Sequence, residues 1–158
     1  MKNSEIKKHI QEGWIRVLFT MQVQGNDNKA VDNSLRKQID ELVKVGKEVE
    51  SRISSPQLIE ESKNWYSQYS EIDMLLKDPA KILDALLDYM VTSVEIIEPN
   101  EIVIKSKTHQ NRLNDLALKF RETERAVLFL SAQNKMLQRE LDELTENSKT
   151  KSIKKKKK

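Results

Sequence analysis

The chain has 158 residues, 34% charged against 37% hydrophobic, with 5% aromatic, three Gly, three Pro and no Cys; that allows one modest core and an elongated element beside it. The absence of Cys excludes a disulfide scaffold, a thiolate zinc site and a cysteine nucleophile. No apolar run nears the roughly 20 residues of a membrane span, and residues 1–12 (MKNSEIKKHIQE) lack the apolar middle of a signal peptide, so the expectation is a cytoplasmic protein with no membrane partner.

The formal charge of +3 hides two regions. The last ten residues, KTKSIKKKKK, carry seven Lys and no acid, and removing those seven from +3 leaves −4 for residues 1–148. A block of like charge repels itself and buries nothing. Residues 148–158 are therefore expected to form a disordered Lys-rich tail, either a solubilising end or address, or a segment that meets a polyanion.

Residues 1–13 are polar and read as a flexible N-terminus. From Trp14 to Gln24 the pattern alternates, with Ile15, Val17, Phe19, Met21 and Val23 on one side of a half-buried strand. Gly25 stops it, and Asn26 or Asp27 can cap the next helix. There Val31, Leu35, Ile39 and Leu42 make one apolar stripe that ends near Gly46. Alternation returns from Lys47 to Ile53, with Val49 and Ile53 opposite Glu48, Glu50 and Arg52. Residues 56–64 read as a loop, and Trp65 to Leu76 as a third strand. Asp78-Pro79 suits the start of a second helix with Ile82, Leu83, Leu86, Leu87 and Met90 as its stripe. Ser93 to Glu98 is a fourth strand, and Glu101 to Lys105 a candidate extension beyond Pro99-Asn100. Strand, helix, strand, strand, helix, strand is the order of a ferredoxin-like α+β domain over 14–105, four antiparallel strands with two helices on one face. An open α+β sheet of different strand order uses the same elements.

From Leu113 the spacing changes to sevens. Leu113, Phe120, Val127, Asn134 and Leu141 share one heptad position, and Leu116, Thr123, Leu130, Leu137 and Leu144 follow three residues after each. This predicts a coiled-coil dimerisation helix over 106–147, roughly 48 Å of it in heptads at 1.5 Å per residue. Such a helix cannot cover its own seam. A lone Asn at an a position favours a parallel, in-register pair, although an antiparallel pair, another protein's coiled coil or the chain's own sheet would also cover the stripe. Phe129 and Met136, with Leu128 beside them, fall outside the seam and call for further packing.

Catalytic groups are scarce. His9 and His109 are the only histidines, and His109 has no acidic residue three or four positions on, so neither a metal pair nor a catalytic dyad is visible. Gly13, Gly25 and Gly46 are isolated, so no phosphate-cradling loop is seen. The expectation is a non-enzymatic protein with no cofactor and no metal. Trp14, Trp65, Tyr66 and Tyr69 are candidates for stacking bases on a sheet, but Glu71 and Asp73 lie among them and favour a core or interface role. Lys105, Lys107, Arg112, Lys119, Arg121 and Arg125 make a basic stretch at the start of the long helix. With Lys149, Lys151, Lys154, Lys155, Lys156, Lys157 and Lys158 they form two candidate phosphate-contacting regions.

The run LLDYMVTSVEIIEPNEI (Leu86 to Ile102), with IRVLFTMQVQG (Ile15 to Gly25) and AQNKMLQRELDEL (Ala132 to Leu144), resembles a group of small archaeal proteins of uncharacterised function. The resemblance covers about residues 14 to 144. It implies a ferredoxin-like domain joined to a C-terminal coiled coil and no family active site, and the oligo-Lys end is not part of it. The expected function is a homodimer that bridges or binds a large anionic partner, RNA or a ribosomal subunit, with two-fold symmetry suiting a bridge. The alternative is a protein-interaction or ligand-sensing module acting through the sheet face or the Phe129/Met136 surface.

Overall fold

The computed structural model describes the backbone of residues 1–155 apart from 61 and 63, and side chains through residue 145. The elements are α1 (Asn3–Gln11), β1 (Ile15–Gly25), α2 (Asn28–Leu42), a 3-10 turn (Val43–Val45), β2 (Lys47–Ile53), β3 (Gln57–Leu58), β4 (Tyr66–Leu76), α3 (Ala80–Asp88), β5 (Val91–Glu98) and α4 (Ser106–Lys155). The chain divides into two units, residues 1–113 and 114–158. This boundary falls eight residues beyond the expected one at 105, because the first turns of α4 are tied to α3.

The first unit is α+β, with a five-stranded antiparallel sheet in the order β2-β4-β1-β5 and β3 alongside β4. β1 and β4 pair over their full lengths, from Ile15 opposite Leu76 to Gly25 opposite Tyr66. Because side chains alternate across a strand, that register puts Val17, Phe19 and Met21 on the same face as Ile72 and Met74, and all five are fully buried. Val31, Leu35, Ile39 and Leu42 of α2 complete this core. Asp27 is the N-cap, its carboxylate accepting from the Ala30 amide at 2.8 Å. Gly46 is required by close approach: a Cβ there would lie 2.5 Å from the Leu75 carbonyl oxygen.

Several expectations are corrected. Residues 1–13 are not a flexible lead, since nine of them form α1, which buries Ile6 to 4% exposure. Gly13 ends it with φ +86°, its amide donating to Ile10 while the Trp14 amide donates to His9. That is a Schellman motif, which needs a left-handed residue after the helix and finds it cheaply in Gly. β2 departs from the expected alternation at Glu48, which a bulge between Glu48 and Glu50 sets opposite Met74, while Glu50 opposite Asp73 and Arg52 opposite Glu71 share one face. α3 stops at Asp88, so Met90 lies beyond it, and Ala85 rather than the expected leucines is the residue fully buried. Residues 101–105 form no strand. The helical backbone of α4 continues to Lys155, past the expected end at 147.

In the second unit α4 is helical throughout its described length, and every side chain from 117 to 145 is exposed. No helix among the described residues is long and apolar enough to cross a membrane.

Candidate functional site

Two surfaces carry chemistry. The first is the face of the sheet opposite α2. The register that buries Phe19 and Ile72 turns Arg16, Leu18, Tyr69, Glu71 and Asp73 outward, and the bulge in β2 adds Glu50 and Arg52. Arg16 grips Asp73 in a fork, with Nη2 to Oδ2 at 2.6 Å and Nε to both carboxylate oxygens at 3.1 Å. Hydrogen bonding to Asp73 holds the Arg16 guanidinium above its ordinary value, against the opposing cost of partial burial. Arg52 is raised in the same way by Glu50, whose carboxylate lies 3.1 Å from its Nε. Leu18 and Ile97 complete a shallow hollow of about 220 Å³ with these groups.

Cross-strand pairing adds Glu95 beside Leu18 and Glu98 beside Arg16. Five carboxylates thus stand around two guanidiniums that are already engaged, which repels a polyanion. The candidate stacking aromatics do not assemble there either. Tyr66 packs against the core, Trp65 precedes β4, and Tyr69 is half-exposed on the acidic face.

Trp14 belongs to a corner that sequence reasoning missed. Lys47 Nζ lies 4.8 Å from the centre of its ring and the His9 ring 4.9 Å away. His9 Nε2 is 3.3 Å from Lys47 Nζ, and Nδ1 is 3.2 Å from the Glu12 carboxylate. This chain of contacts fastens α1 to the start of β2, and the terminal amino group adds a bond to the Val49 carbonyl at 3.2 Å. Leu75, outward by register, is nevertheless fully buried. The available signals were Glu5, which accepts from the Lys2 amide, and the isolated Gly13.

The comparisons with known proteins bear on both surfaces. A family model matches residues 16–154. The chain belongs to the MJ0538 family. This is an uncharacterised family with a Methanocaldococcus name, consistent with the resemblance to small archaeal proteins. No curated protein and no solved structure matches the chain. The MJ0538 match runs from the second residue of β1 almost to the end of α4, so sheet and long helix fall within one family pattern; of the tail only the last four lysines, 155–158, lie outside it.

The second surface of this MJ0538-family chain is α4. Of the expected seam residues Leu113, Phe120, Val127, Leu130, Asn134, Leu137, Leu141 and Leu144 are exposed, Phe120 to 67% and Val127 to 60%, while Leu116 is half-buried. Val127, Leu130, Ser131, Asn134, Lys135 and Gln138 line an open groove along the helix. Thr123 has its hydroxyl proton committed to the Lys119 carbonyl at 2.9 Å, so it turns chiefly a methyl group to its surroundings.

The basic stretch is not one patch. Arg112 is engaged with Asp84, Nε to Oδ1 at 3.0 Å and Nη2 to Oδ2 at 3.2 Å, with Lys81 at 3.3 Å from the same carboxylate. It therefore braces α3 instead of standing ready for phosphate, contrary to expectation. Lys105, Lys107, Lys119, Arg121 and Arg125 are exposed. Arg121 and Arg125, four apart, share one helix face, and Lys119 lies roughly a third of a turn or more away. The side chains of Lys149, Lys151, Lys154 and Lys155, and all of Lys156, Lys157 and Lys158, lie outside the described residues. Among the described residues no group of three His, Asp or Glu could hold a metal ion. His109 is exposed on α4.

Proposed function

We propose that this MJ0538-family protein is a non-enzymatic cytoplasmic homodimer, joined through α4 as a coiled coil, that binds a large polyanion, RNA or a ribosomal subunit. The observation that carries the reading is the line of exposed Leu, Phe and Val side chains at heptad spacing from Leu113 to Leu144. Large apolar side chains in sevens are costly in water and are covered when a second helix packs into them. The head is read as ferredoxin-like. Its support is the antiparallel order β2-β4-β1-β5, with α2 and α3 each contributing to one core.

Charge supports the choice of partner. The sheet face is acidic, so phosphate contacts fall to Lys119, Arg121 and Arg125 and to the terminal lysines, away from the sheet-face stacking mode. The test is RNA binding and cosedimentation with ribosomes at low salt, repeated as salt is raised. Binding that weakens steeply with salt, and that drops on truncation after Ser148, is expected. No binding at low salt refutes the polyanion reading.

A second reading, a protein-interaction module, is favoured by Leu128, Phe129 and Met136, each more than 60% exposed and outside the seam. Under that reading, truncation after Ser148 leaves partner binding unchanged, whereas Phe129→Ala abolishes it.

A further inference from the structure

We infer that the seam of α4 is covered by a second copy of this chain running parallel and in register, with Asn134 hydrogen-bonded to its own mate and Lys119 of each copy beside Glu124 of the other. The inference rests on the homodimer reading above and adds polarity, register and the residues that set them.

Two alignments cover the same apolar residues, so apolar burial alone does not choose between them. A parallel pair stacks each seam residue on itself. A full-overlap antiparallel pair sets Leu113 against Leu144, Phe120 against Leu137, Val127 against Leu130 and Asn134 against Thr123. The charged flanks do not decide either: Lys119 meets Glu124 of the other helix in the first arrangement and Glu140 in the second.

The polar layer decides. A buried amide needs both a donor and an acceptor opposite it. Thr123 already donates its hydroxyl proton to the Lys119 carbonyl at 2.9 Å, which leaves only acceptor capacity. In the antiparallel alignment the Asn134 carbonyl would then face a methyl group and an oxygen without a free proton, an unsatisfied group in a desolvated seam. Across a parallel dyad the amide nitrogen of one Asn134 donates to the carbonyl of the other. Leu at four of the five d positions (Leu116, Leu130, Leu137, Leu144) suits the packing of parallel two-stranded coils, and among the five a positions Val127 alone is β-branched. Parallel polarity also sets Arg121 and Arg125 of the two copies at one level of the pair. A single polyanion can then engage both pairs of arginines at once, an avidity unavailable to one chain.

The chain has no Cys, so Leu113→Cys and Leu144→Cys each place a single thiol near one end of the seam. Under a short bis-maleimide or mild oxidation, each variant alone is expected to form the covalent dimer, and mixing the two is expected to add no preferred cross-link. A cross-link that appears only on mixing refutes the parallel inference and leaves the homodimer standing. No cross-link in any combination, with a mass of 18.4 kDa, refutes both. Should a thiol at a seam position disturb folding, the surface charges give a second reading. Glu124→Lys is expected to weaken self-association about tenfold and Lys119→Glu in the same chain to restore it, with Glu140→Lys changing it less than about twofold. The opposite ranking refutes the inference.

Discussion

The two units use the same kinds of side chain to opposite effect. In the first, Phe19, Val17 and Leu35 are wholly withdrawn from water. In the second, Phe120, Val127 and Leu137 stand 60 to 67% exposed. A sheet with two helices on one face contains its own partner surface, whereas an isolated helix of period seven has an apolar stripe and nothing within its own unit to lay it on. The difference teaches that the first unit satisfies its core within one chain, while the second leaves its apolar stripe in water, where the proposed homodimer would cover it. Stability of the first should thus be independent of protein concentration, and stability of the second should depend on it.

The sharpest way to break this comparison is a matched pair of truncations. Phe19→Ala should cost about 3–5 kcal/mol in denaturant unfolding at any protein concentration. Phe120→Ala should leave unfolding of the sheet unit nearly unchanged while weakening self-association, read by sedimentation over a dilution series. Equal effects at both positions would show that α4 folds back on its own chain. Next in size is Gly46→Ala. Its new Cβ would meet the Leu75 carbonyl oxygen at 2.5 Å, and a loss of about 1–3 kcal/mol is expected from overpacking of the turn before β2 against the end of β4. A neutral result would mean that the approach of the two segments relaxes freely.

Asn134→Leu should act in the other direction. Exchanging the polar layer for an apolar one should raise the melting temperature by a few degrees and loosen the restriction to two strands, seen as larger species in light scattering. Unaltered melting and mass would place residue 134 outside any seam. The smallest effect expected is on the acid limb of stability. Hydrogen bonds from Arg36, then Gln68, hold the Asp32 carboxyl below its ordinary value of 3.8. A carboxyl lowered in the folded state contributes stability that is fully present above 3.8 and is lost as pH falls through the folded value. Asp32→Asn should therefore flatten acid unfolding below about pH 4 and leave the neutral region with a small, pH-independent change.

How much of this was legible in one dimension depended on how local the cause was. The β1 alternation and the stripe Val31, Leu35, Ile39 and Leu42 are properties of adjacent residues, and both faces are buried as the periods require. The heptad spacing of apolar residues in α4 is local in the same sense. The Arg16–Asp73 fork joins residues 57 apart and exists only because β1 and β4 align in one register; nothing near either residue announces it. The bulge before Glu50 is set by pairing with β4, so strict alternation grouped Glu48 with Glu50 and Arg52, whereas Glu48 stands opposite Met74. α1 escaped because it buries a single side chain, Ile6, and the rest of the helix is polar or charged apart from Ile10. Arg112 looked like one more cation until Asp84, 28 residues earlier, came within 3.0 Å of it.

The most direct test of the central claim is the mass of the intact protein in solution at micromolar concentration, by sedimentation equilibrium with helix content followed by circular dichroism. The account predicts twice the 18.4 kDa of one chain, with dissociation and loss of helix signal together on dilution. A particle of 18.4 kDa that keeps its full helix content at every concentration would contradict it.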